Sequence, residues 1–75
     1  MDTRALMAQL VYQGYTTAKL AEILGVSKTT MYRKLYGESE FTRCEIEAII
    51  KELRLDSERI VTIFFPQYAF SKEST

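Results

Sequence analysis

Histidine and tryptophan are absent from this 75-residue chain, cysteine and proline occur once each, and glycine occurs three times. Without histidine, general acid–base chemistry at neutral pH falls to carboxylates alone. No nucleophile motif, phosphate loop or metal-ligand spacing compensates, so the chain does not read as an enzyme, and neither metal nor cofactor is expected. Cys44 has no second cysteine to pair with and cannot hold a metal alone. It reads as a small, partly buried apolar residue in a reducing compartment. No apolar run approaches the roughly 18 residues of a membrane helix. Met1-Asp2-Thr3-Arg4 lacks the features of a signal peptide, so no membrane contact is expected and the protein should stay where it is made.

Net charge is also missing: ten basic residues cancel ten acidic ones. A non-specific nucleic-acid coater normally carries a large positive excess. The distribution is less even. Residues 1–37 hold five basic and two acidic side chains, a net of +3, and residues 38–75 hold five and eight, a net of −3. The length allows one domain, and a domain of about 60 residues buries only about 60% of the surface its unfolded chain exposes. A partner subunit would therefore help stability.

What the chain does have is helical periodicity, punctuated by glycine and capping residues. The first helix is expected over Thr3 to Gln13, capped by Asp2 or Thr3 and stopped by Gly14. Thr16 caps a second over Thr17 to Leu24, with Leu20, Ala21 and Leu24 inward and Gly25 ending it. Ser27 caps a third over Lys28 to Tyr36, with Met31 and Leu35 inward and Gly37 ending it. Thr42-Arg43-Cys44-Glu45 is a capping box opening a fourth helix to Arg54, with Ile46, Ile49, Ile50 and Leu53 inward. Asp56 or Ser57 caps a fifth through Phe65, where Pro66 should stop it. Gln67 to Phe70 alternates weakly, as an edge strand or a disordered tail would, and Ser71 to Thr75 should fray. The expectation is an all-α domain over residues 1–65 with a tail over 66–75, carrying either a short strand or an extended segment.

The informative stretch is Thr17 to Gly37, TAKLAEILGVSKTTMYRKLYG. Two short helices crossing at a tight turn need four things. A small residue is needed where they approach, and Ala21 supplies it. Gly25 tolerates the positive φ of the turn, Val26 plugs the turn, and Met31 faces back into the core. Over this stretch, and more loosely over residues 3–65, the sequence resembles the phage Cro and repressor family, the xenobiotic-response-element type of helix-turn-helix.

The resemblance implies four or five short helices, the third lying in the major groove of an operator and the second crossing the backbone. By position, the base-reading residues are Ser27, Lys28, Thr29 and Arg33, with Tyr32 reaching a sugar or a thymine methyl. Lys28 and Arg33 can donate to guanine, Arg33 with two bonds. Thr16 and Thr17 sit where the family places a phosphate against a helix N-terminus, and Lys19, Lys34 and Arg43 are further phosphate candidates. Tyr12, Tyr15 and Tyr36 read as half-buried packing residues.

The sequence departs from the family twice. The loop after the third helix carries Glu38 and Glu40 where basic residues are common. Lys34 stands where an apolar residue is usual: either the helix is rotated, or the Lys34 stem covers the core while its head reaches water or phosphate. The later helices are expected to expose Glu45, Glu47, Glu52 and Glu58, a solvated face or a docking face for a basic partner.

Helix five and the tail hold too many apolar side chains for one inward stripe. Val61, Phe64, Phe65, Tyr68 and Phe70 are the residues expected at a homodimer interface. The implied protein is a short Cro-like regulator in the cytoplasm of a bacterial host cell, binding a double-stranded, pseudo-palindromic operator. The alternative keeps the fold and makes it an antirepressor or modulator that binds a repressor protein; RNA polymerase is a further candidate partner.

Overall fold

The computed structural model describes residues 1–68. Five helices follow in order: α1 Thr3–Gln13, α2 Thr17–Leu24, α3 Lys28–Leu35, α4 Arg43–Leu53 and α5 Ser57–Phe64. Each begins where a short polar side chain can accept one of the backbone N–H groups that a first turn leaves unbonded. Asp2, Thr16, Ser27, Thr42 and Asp56 do so, accepting from the N–H three residues on at 2.8–3.1 Å. Glu45 returns the bond to the Thr42 N–H at 2.8 Å, completing the capping box of α4.

Gly14 and Gly25 end α1 and α2 in the left-handed region, at φ +80° and +72°. α4 ends the same way on Arg54, at φ +52°. A side chain in that conformation is strained by about 1–2 kcal/mol relative to the right-handed one. Nothing in the sequence marks the position, because glycine is the usual signal and it is missing here.

Two residues from each helix meet in the core: Leu6 and Leu10, Leu20 and Ala21, Met31 and Leu35, Ile49 and Leu53, Ile63 and Phe64, with Leu55 from the turn between α4 and α5. The spacing of three or four, or of adjacent inward positions, follows from the helical repeat. Fully burying one such Leu contributes about 1.5–3 kcal/mol, so this single cluster carries most of the stability. Polar bonds fasten the periphery. The Asp2 N–H donates to the Ile63 carbonyl, the Thr3 hydroxyl to the Leu35 carbonyl, and the Gln13 amide to the Leu53 carbonyl. The Tyr15 hydroxyl donates to Glu52 at 2.6 Å, and that bond raises its pKa.

The all-α expectation holds, and among the described residues there is no strand and no helix long and apolar enough to cross a membrane. Several local expectations are corrected. Phe65 leaves the helical region at φ −135°, but residues 66–68 then form a helical turn, not a strand or an extended tail. Proline suits the first position of a helical turn because its missing N–H would be unbonded there anyway. Ala69, Phe70 and Ser71 to Thr75 lie outside the described residues. Phe64 is buried in its own core and offers little surface to a second copy. Tyr12 and Tyr36 are exposed, not half-buried, because each points away from the Leu and Met stripe of its helix. Cys44 is exposed as well, on the outer side of the first turn of α4.

Candidate nucleic-acid interface

α2 and α3 are joined by the tight turn that the sequence implies. The Val26 N–H donates to the Ala21 carbonyl at 3.0 Å, and Gly25 bonds back to Ala21 and Glu22. Ala21 is buried where the helices approach, and a larger side chain would hold them apart. Met31 and Leu35 fix the inward side of α3. Its outward side is then set by geometry: residues 28, 29, 32, 33 and 36 fall within one arc of the helix.

All five are exposed. Among the described residues, the side chains of Lys28, Thr29 and Arg33 have no hydrogen bond or ion pair, and thus present a free ammonium, a free hydroxyl and methyl, and a free guanidinium. Ser27 differs. Its hydroxyl accepts from the Thr30 N–H at 3.1 Å and donates to the Thr30 hydroxyl at 2.9 Å, so it is spent on capping α3.

At the start of α2 the Thr16 hydroxyl accepts from the Lys19 N–H, which leaves its own proton to donate. The Thr17 hydroxyl leans toward the Met7 sulfur at 3.9 Å, a weak contact. The N–H groups of Thr17 and Ala18 have no partner among the described residues, and a helix N-terminus of this kind favours an anion. Lys19 pairs with Glu22 at 3.4 Å and Arg43 with Glu47 at 3.3 Å. Both pairs are solvated, hold their cations loosely and leave them able to exchange partners.

Lys34 is the site residue that the structure takes away from this surface. Its ammonium sits 2.8 Å from Glu45 and 3.1 Å from the Glu40 carbonyl, and 5.8 Å from the centre of the Phe41 ring. The two side chains of the ion pair are only 10% and 15% exposed. The stem covers the core, as one of the two alternatives allowed, but the head turns to the start of α4, where Glu45 and the Glu40 carbonyl hold it.

Burial pushes the Glu45 carboxyl up, while hydrogen bonds from Lys34 and from the Thr42 N–H, and the Lys34 charge, outweigh it and hold the pKa below the ordinary value. Glu45 is thus no part of an exposed acidic face. The signal for this pair was weak in the sequence, since its members lie eleven residues apart across a loop. That loop is tied to α3 as well, by the Glu38 and Ser39 N–H groups on the Arg33 carbonyl.

A second unforeseen feature is aromatic. The rings of Tyr32 and Tyr36 lie nearly parallel, 8° apart in plane with centroids 6.1 Å apart. Beneath the last turn of α3, a recess of about 570 Å³ is lined by Leu35, Phe41, Phe64 and Phe65, among others. Phe65 at its edge and Tyr68 beyond it are exposed, their rings 6.3 Å apart, and Val61 is half-buried.

A family model described as the helix-turn-helix domain of resolvase matches residues 1–38, which span α1, α2 and α3. No curated protein matches the chain. No solved structure matches it either.

Proposed function

The chain belongs to the family of the helix-turn-helix domain of resolvase, and from that premise we propose that it is a sequence-specific regulator of transcription that reads duplex DNA with α3 in the major groove. The observation that carries this reading is the outward side of α3, where Lys28, Thr29 and Arg33 stand exposed and unpaired on one face. Side chains of these types match the groove. A guanidinium forks onto the two acceptors of guanine, an ammonium reaches one of them, and threonine offers a methyl or a hydroxyl. The free N–H groups at the start of α2, with Thr16 and Lys19, hold a phosphate and set the register. Arg43 is a further phosphate contact, and Ser27 shapes the face without reading it.

The finer reading is a short Cro-like regulator acting as a homodimer on a pseudo-palindromic operator. Exposed Phe65 and Tyr68, with half-buried Val61, support a contact between copies. Half-sites would then lie about 34 Å apart, or a multiple of that. Phe65 borders the recess under α3, so a contact there bears on how α3 is held.

The test is selection of bound duplexes from a random DNA pool by the purified protein at low salt, with Arg33→Ala in parallel. Enrichment of a paired motif that the variant loses supports the reading. No enrichment from either protein rejects it, and a repressor protein becomes the partner to test.

A further inference from the structure

We propose that Tyr32 and Tyr36 together form an apolar ledge on α3 that reads the 5-methyl groups of thymine in the major groove. The inference rests on the DNA-binding reading above and names what that surface recognises beyond guanine.

The two tyrosines stand four residues apart, so their side chains lie one above the other on the helix surface. Tyr32 is 42% exposed and Tyr36 73%, although Met31 and Leu35 beside them are buried. Neither phenol hydroxyl has a partner among the described residues. The rings stand nearly parallel side by side, with centroids 6.1 Å apart, and both remain open to solvent on the same arc as Thr29 and Arg33. An exposed pair of large rings contributes little to the fold of the protomer, and such a patch marks a contact surface.

The charge balance points the same way. The chain carries no net charge, and Lys34 is held by Glu45. Few phosphate contacts are then available, and contacts other than ionic ones must supply a larger share of the affinity. On the floor of the major groove, the thymine methyl is the apolar group on display. Stacking on a base would require that base to leave the duplex, which opposes binding by a few kcal/mol. A ring edge or face against a methyl needs no such opening.

The experiment starts from the duplex that the wild-type protein enriches. Each thymidine is replaced in turn by deoxyuridine, which keeps the pairing and removes only the methyl. Burial of one methyl-sized group corresponds to about a four-fold change in affinity, so wild-type protein should lose about that factor at each contacted thymine. Tyr32→Ala and Tyr36→Ala should bind the thymine duplex more weakly and be indifferent to the replacement. Tyr32→Phe and Tyr36→Phe should keep the full sensitivity, since the ring and not the hydroxyl makes the contact.

The proposal is overturned if wild-type protein binds every deoxyuridine duplex as tightly as the original. It is overturned equally if the Phe variants lose as much as the Ala variants, which would place the hydroxyls on phosphates. A change of oligomeric state in Tyr36→Ala with the methyl sensitivity intact would assign the ring to an interface between copies. If the wild-type protein enriches no duplex, the DNA-binding reading itself fails and the ledge falls with it. Failure of deoxyuridine discrimination on an enriched duplex removes the ledge alone.

Discussion

Replacing Glu45 with Gln should destabilise the protein by about 2 kcal/mol, a value between two measured limits. Solvated ion pairs contribute about 0.2–1 kcal/mol, whereas removing one partner of a buried pair costs about 3–5 kcal/mol. The Lys34–Glu45 pair lies between these, with side chains 10% and 15% exposed. Gln keeps the shape and can still accept from the Thr42 N–H, so the capping box survives in part. The Glu40 carbonyl and the Phe41 ring remain around the ammonium and soften the loss. In a domain of this size, about 2 kcal/mol corresponds to a fall in Tm of about 8–16 °C by circular dichroism. Lys34→Met should be destabilising alone, and Lys34→Met with Glu45→Gln should return to within about 1 kcal/mol of wild type, because no lone charge is left buried. In DNA binding, Lys34→Met should leave the slope of log affinity against log salt unchanged, whereas loss of a phosphate contact would reduce it by about 0.9. The reasoning is refuted if Glu45→Gln costs less than about 0.5 kcal/mol and the two single changes are additive. The ammonium would then be solvated and free to take a phosphate.

Other outcomes follow from the same structure. The folded state holds the Glu45 pKa below its ordinary value. Its contribution is therefore fully present above the ordinary carboxylate range and is lost as pH falls through the lowered pKa, so stability against urea should drop on that acid limb and Glu45→Gln should flatten the drop. Arg54→Gly should raise stability by about 0.5–1 kcal/mol in a urea titration, since glycine occupies φ +52° without the strain that Arg54 carries. Ala21→Leu should destabilise by about 1–3 kcal/mol in thermal melts by overfilling the crossing of α2 and α3, and should weaken DNA binding through the changed pose of α3.

The helices were legible because their signals are local. Asp2, Thr16, Ser27, Thr42 and Asp56 each bond within three residues, and Gly14 and Gly25 each mark a left-handed stop. The inward pairs of α1 to α4 follow from the helical repeat. What was not legible depends on contacts between distant residues or on a missing signal. Lys34 looks like a phosphate ligand in the sequence, and only the folding of the chain brings Glu45, in the first turn of α4, to it. Arg54 takes a glycine conformation without being glycine. Phe64 and Phe65 are neighbours of one residue type. The phase of α5 decides that the first is core and the second surface, and the apolar run alone does not reveal that phase. The spacing of Tyr32 and Tyr36 was visible, but whether two such rings pack inward or stand outward depends on how α3 is rolled against the core.

The most direct test of the central claim, that α3 reads base edges in the major groove, is methylation protection at guanine N7 on the enriched duplex. That atom faces the major groove only. Bound wild-type protein should protect guanines within each half-site, and Arg33→Ala should restore their reactivity under conditions where the variant still occupies the DNA. Unprotected guanines on a fully bound duplex, or protection that Arg33→Ala and Lys28→Ala both leave intact, would contradict it.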